Sequence, residues 1–392
     1  MNDAQWASLA RELGVQAYES SLLSGGDDRH RSFAMRLRAR RGPAIGNIGT
    51  SHVLLGSWNG TRYLLTHQGR EGTPQIGVTV ELEPSLGLCA FIGTPAWVRG
   101  LGKTKLVHLG DPSLDSELCL EAAEPDRLVE LLRPQSEADL TLLRAIISER
   151  FIVTDTTIVD TMSAAVAVEG GVPFLDDRAP RPVTASEITM KLERMMWVGR
   201  ELALRRSRVR VTAEAQQTRE AWTEVARARA LTFHPDAMTI RGESAAARVS
   251  MGIETRLAAL AVEESFAPFS TYLSASFTKP VGLNLRVEKA GVFNRLAEVF
   301  GTDIVVGDKT FDRAFSVSGS NEANVRERLR PAASALVEAH AHAAELTLDD
   351  GGIFMLIPEV AKTPGQVSSA LDLLTAIVDG LRIIPVQSPY RS

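Results

Sequence analysis

Two phrases place a pair of carboxylates at one spacing in distant parts of the chain. Residues 110–118 read GDPSLDSEL and residues 307–315 read GDKTFDRAF. In each, a Gly-Asp step is followed by a second aspartate four residues on, pairing Asp111 with Asp115 and Asp308 with Asp312. Paired carboxylates can hold a divalent cation, or divide acid and base roles between them. A cation needs its ligand oxygens within about 2.6 Å. Residues four apart on a strand are separated by about 13 Å, so each pair converges only if the chain turns. Asp111-Pro112 favours such a turn. No third acidic or histidine ligand recurs beside both phrases. The reading that fits both is a structural corner. Asp111 and Asp308 accept backbone N–H groups in an Asx-type turn, while Asp115 and Asp312 pin the neighbouring loop or pair with an arginine.

Other chemistry-bearing residues give weaker signals. Gly102-Lys103-Thr104 resembles the end of a phosphate-binding loop, but that pattern needs a glycine where Trp97 stands. The seven histidines form no HExxH pair. Cys89 and Cys119 are too few for a disulfide or zinc framework. A basic row, Arg36, Arg38 and Arg40, continues from Ala34 and alternates with Phe33, Met35, Leu37 and Ala39, as on one face of a strand. It reads as a solvated or edge strand guarded by charge, with an anionic-partner surface as the alternative. No cofactor or metal site is expected from these residues.

The elements that carry the phrases are themselves written twice. Aligned without gaps, residues 110–134 and 307–331 share Gly110/Gly307, Asp111/Asp308, Asp115/Asp312, Glu130/Glu327, Leu132/Leu329, Arg133/Arg330 and Pro134/Pro331. Upstream, Trp6-Ala-Ser-Leu-Ala resembles Trp222-Thr-Glu-Val-Ala, and Pro84-Ser-Leu-Gly-Leu88 resembles Pro280-Val-Gly-Leu283. Downstream, Thr184-Ala-Ser-Glu187 and Thr363-Pro-Gly-Gln366 are both capping boxes, a Thr N-cap with Glu or Gln at N3. Each opens a segment with one apolar helical face: Ile188, Leu192, Met195, Val198 and Leu202, then Val367, Leu371, Leu374, Val378 and Leu381.

Alternating and turn-bounded runs predict strands over 53–57, 61–66, 75–83, 86–92, 151–154 and 158–168, with Trp58-Asn59-Gly60 as a hairpin turn. The phrase itself reads as a strand, with Leu114, Leu118 and Leu120 on one face and Asp115, Glu117 and Glu121 on the other. Helices are expected near 4–16, 125–132 and 137–149. Hairpin strands followed by helices imply an α+β class: two tandem repeats, each an antiparallel sheet with helices packed on one face. The repeats are placed at 1–208 and 209–392. Regular βαβ alternation is absent, which argues against a dinucleotide-binding sheet.

At 392 residues and a net charge of -5, the chain has room for two cores and lacks the basic excess of a nucleic-acid binder. No apolar run reaches the ~18 residues of a membrane span, and the first residues do not read as a signal peptide. Peripheral membrane contact stays open, and a reducing cytoplasm is expected.

The phrase Gly-Asp-x-x-Phe-Asp-x-x-Phe, carried by 307–315 and degenerately by 110–118, resembles an uncharacterised bacterial family, a domain of unknown function. That resemblance implies a bacterial source and an α+β fold, and carries no catalytic residues. The expectation is a non-enzymatic intracellular protein that binds a protein partner or itself. A small-molecule or lipid-binding module with an apolar pocket, and an enzyme with a site between the repeats, are the alternatives.

Overall fold

The computed structural model describes residues 3–19, 52–68, 75–83, 85–94, 107–160, 184–244, 246–255, 269–290 and 304–381. The chain forms two compact units, whose main bodies change over between Val211 and Thr212. The first carries α1 (Asp3–Glu12), β1 (Gln16–Glu19), β2 (His52–Trp58), β3 (Thr61–Gln68), β4 (Gln75–Glu81), β5 (Ala90–Gly93), α2 (Pro112–Glu117), β6 (Cys119–Ala122), α3 (Pro125–Leu132), α4 (Glu137–Ser148), β7 (Phe151–Thr154), β8 (Thr157–Asp160) and α5 (Ala185–Arg206). The second carries α6 (Ala213–Ala228), β9 (Thr232–His234), β10 (Thr239–Glu243), β11 (Ala247–Thr255), β12 (Phe269–Phe277), β13 (Arg286–Lys289), α7 (Lys309–Ala314), β14 (Phe315–Ser318), α8 (Glu322–Leu329), α9 (Ala333–His342), β15 (Glu345–Asp349), β16 (Gly352–Pro358) and α10 (Pro364–Gly380).

Each unit is built on one eight-stranded sheet. The first runs β1-β2-β3-β4-β8-β7-β5-β6, and the second, read from its far edge, β9-β10-β11-β12-β16-β15-β13-β14. Adding eight to every strand number converts one order into the other. Pairings with a described register are antiparallel. The protein is therefore α+β, made of two similar halves.

The core of the first unit lies between its sheet and its helices. Val80, Ile92, Leu120 and Val153 from the strands pack with Leu128 of α3, Leu142 of α4 and Leu192 of α5. Burying such side chains, at roughly 1.5–3 kcal/mol each, is what holds helices to sheet. In the second unit Trp222 of α6 is fully buried, and its ring lies 6.0 Å from that of Phe233.

Local chemistry explains the turns and helix starts. Asn59 and Gly60 both take positive φ, 49° and 81°, so β2 and β3 are joined by a two-residue turn of type I′ geometry. Thr184 and Thr363 close capping boxes with Glu187 and Gln366, and Pro364 occupies the first turn of α10.

Two strand expectations are corrected. Residues 112–117 and 309–314 are short helices, and strands begin only at Cys119 and Phe315. Leu114 and Leu118 are four apart, a spacing that also suits one helical face, and the Asp N-cap with Pro112 at N1 decides for helix. Phe311 and Phe315 show the same spacing, their rings 4.9 Å apart. The strand expected over 86–92 starts at Ala90, because Gly87 and Cys89 sit at φ 59° and 49° and interrupt it. The basic row of Arg36, Arg38 and Arg40 lies outside the described residues, as does the Gly102-Lys103-Thr104 segment.

Candidate functional site

The four aspartates of the repeated phrase are occupied in the same way in both units. Asp111 caps α2, one carboxylate oxygen accepting the N–H of Ser113 at 2.9 Å and of Leu114 at 3.3 Å. Asp308 caps α7 through Thr310 at 2.8 Å and Phe311 at 3.0 Å. The second aspartate of each phrase reaches back along the chain. Asp115 accepts the N–H groups of Leu109 and Gly110 at 2.7 and 3.1 Å. Asp312 accepts those of Val306 and Gly307 at 2.8 and 3.0 Å. Gly110 and Gly307 are left-handed, at φ 83° and 97°, so a side chain at either would be strained. The corner is a hydrogen-bonded clip, in which one oxygen of the first aspartate and both oxygens of the second accept backbone N–H groups.

A second carboxylate device recurs in both units. Asp155, in the turn between β7 and β8, accepts the N–H of Leu88 at 2.9 Å and of Ala90 at 3.2 Å. Asp350, in the turn between β15 and β16, accepts those of Leu283, Asn284 and Leu285 at 3.1, 2.7 and 2.8 Å. Each holds a turn with two positive-φ residues, Gly87 and Cys89 or Gly282 and Asn284. The backbone carbonyls of the two aspartates complete the match, accepting from Leu86 and from Val281. Nothing beside Asp155 in the sequence marks it, since its partners are more than sixty residues away. The Gly-Leu pair shared by 87–88 and 282–283 is the one signal that points to this turn.

Asp155 is fully buried, and burial pushes its carboxyl up to about 7, against the pull of the two backbone N–H groups and of Arg206. An acid raised in the folded state contributes stability that is complete below its unfolded pKa of 3.8 and is lost as pH rises through about 7. Glu121, raised to about 7 by burial, acts in the same window. Asp155→Asn, which mimics the protonated acid, is expected to flatten part of the fall in urea midpoint between about pH 4 and about pH 8. An unchanged pH profile in that variant would show that Asp155 does not titrate there.

The remaining candidates fall apart as chemistry. Cys89 and Cys119 are both buried, and burial raises the Cys119 thiol. His340 packs edge-on to the Phe315 ring at 5.3 Å, and burial followed by the charge of Lys289 lowers its pKa. Among the described residues, no group of three or more His, Cys, Asp or Glu side chains is placed to hold a metal ion. No described helix is long and apolar enough to cross a membrane.

One surface does stand out. The outward face of α5 carries Met190 at 60% exposure and Leu204 at 59%, with half-buried Trp197 midway between them. Arg194 stands over the Trp197 ring, 5.8 Å from its centre, and reaches Glu149 at 3.8 Å. Aligned through their capping boxes, α5 and α10 bury the same positions, Ile188 with Val367, Leu192 with Leu371 and Met195 with Leu374. At Met190 and Trp197, however, α10 has Ser369 and Ala376, both exposed. The fold therefore has no need of large apolar groups there.

No family model and no curated protein matches the chain. Among solved structures it is similar to the crystal structure of the mycobacterial trehalose monomycolate transport factor A, TtfA, with 11% identity, 45% of this chain and 98% of that chain covered, and a TM-score of 0.27. At that score the likeness defines neither fold nor function.

Proposed function

We propose that this chain works by binding protein, as a non-catalytic scaffold. The observation that carries this reading is the outward face of α5, where Met190 and Trp197 take the place of small residues on the matching helix and Leu204 is exposed beside them. A row of large apolar groups that reaches solvent, here exposed Met190 and Leu204 with half-buried Trp197 between them, is a feature of surfaces that meet another protein. The carboxylates that most resemble acid and base groups support it from the other side, because the clips commit them to backbone N–H groups. A reducing, cytoplasmic setting belongs to the same reading, supported by two buried cysteines outside any disulfide. So does membership of the bacterial family with the Gly-Asp-x-x-Phe-Asp-x-x-Phe phrase, supported by the identical corner that both versions fold into.

The test compares the parent chain with Met190→Ser/Trp197→Ala, which gives α5 the residues of α10. Protein crosslinked to the parent in its native host should be lost from the variant while its far-UV circular dichroism is unchanged. A turnover by the parent that disappears in Asp111→Ala/Asp308→Ala, with folding intact, would sink the non-catalytic reading.

A further inference from the structure

We propose that a second copy of this chain docks on the outward face of α5, the two helices running antiparallel about a two-fold axis at Trp197. This names the partner for the protein-binding surface proposed above, and rests on that reading.

Met190, Trp197 and Leu204 recur every seven residues, so at about 100° per residue they form one nearly straight stripe along the helix. Charged residues flank it in a definite order. Glu193 and Arg200 lie on one side of the stripe, and Arg194 and Glu201 on the other. Glu193, Arg194 and Arg200 are exposed, and Glu201 is partly so. A two-fold axis across the helix at Trp197 brings like sides together and reverses their direction. Glu193 then faces Arg200 of the second copy, and Arg194 faces Glu201. Symmetry repeats both pairs, so all four flanking charges meet an opposite charge. In the stripe, Met190 meets Leu204 of the other copy at both ends, and the two Trp197 side chains meet at the axis.

A parallel pairing would also bring opposite charges together. It would align the two helix dipoles, whereas the antiparallel pairing opposes them, and this decides for antiparallel. The matching helix α10 has Asp372 and Asp379 at the Glu193 and Arg200 positions, with Leu373 and Gly380 in place of Arg194 and Glu201. The complementary pattern is thus particular to α5. One helix face is a small interface, so the association is weak and concentration-dependent.

Sedimentation of the full chain over a concentration series tests this. The parent should pass from monomer to dimer, and Met190→Ser/Trp197→Ala should stay monomeric. Because Trp197 also packs against the core, surface charges supply an independent check. Glu193→Arg or Arg200→Glu alone should weaken the dimer by about tenfold, since each sets like charges face to face twice. The double variant Glu193→Arg/Arg200→Glu should restore it. Geometry is read from oxidative crosslinking of Met190→Cys mixed with Leu204→Cys. The mixture should crosslink, and neither variant alone should, because in the antiparallel pair each position lies about 20 Å from its own copy. Crosslinking of either variant alone would overturn the antiparallel arrangement. A parent monomeric at every concentration, or a double variant as weak as the singles, would overturn the proposal. If the parent is monomeric yet α5 variants still lose a crosslinked partner, the scaffold reading stands and only the partner's identity falls.

Discussion

Asp350→Ala is expected to destabilise the second unit by about 2–4 kcal/mol. Asp350 is buried and its carboxylate accepts three backbone N–H groups, from Leu283, Asn284 and Leu285, at 2.7–3.1 Å. Alanine leaves those donors without that acceptor; water can reach the exposed Asn284, but the N–H of buried Leu285 is left with no partner, which costs about 1–3 kcal/mol, and half-buried Leu283 adds to it. The turn they belong to is already conformationally demanding, since Gly282 and Asn284 both take positive φ. The loss is a large share of the stability of a small domain, roughly 5–15 kcal/mol. Urea unfolding followed by circular dichroism should show the midpoint fall steeply. Asp308→Ala gives the scale, because it removes an exposed helix cap, worth about 1 kcal/mol. Equal effects from the two substitutions would mean that the buried clip does not hold the turn.

The second large effect is expected at Trp222. Its side chain is fully buried against Phe233, and its indole N–H donates to the carbonyl of Ala361 at 2.7 Å. Trp222→Ala should cost about 3–5 kcal/mol through the cavity it leaves. Trp222→Phe keeps most of the packing and loses the hydrogen bond, so its cost should be nearer 1–2 kcal/mol. The two midpoints, measured in urea, separate packing from hydrogen bonding. A phenylalanine variant as unstable as the alanine one would assign the tryptophan's role to the bond to Ala361.

Both residues belong to features that occur in each half, and they differ in how visible they are beforehand. The tryptophan helix shows in the sequence through its repeated Trp motif, and the Gly-Asp corner and the two capping boxes show because each is closed by contacts over a few residues. Asp111 to Ser113 and Thr363 to Gln366 are bonds of this kind. The helix-or-strand choice at 112–117 was less visible, since Leu114 and Leu118 satisfy both periods until the cap is weighed.

The chain's own order of residues determined that it has two similar α+β halves, where their turns fall, and which aspartates hold the corners. Tertiary structure alone decided the sheet order, the grip of Asp155 and Asp350 on turns more than sixty residues away, and the exposure of Met190 and Leu204. The physical reason is range. Caps and turns are settled by hydrogen bonds between near neighbours, which local residue types specify. Burial depends on what the rest of the fold brings against a side chain. An apolar residue on α5 is written the same way whether the sheet covers it or leaves it facing out.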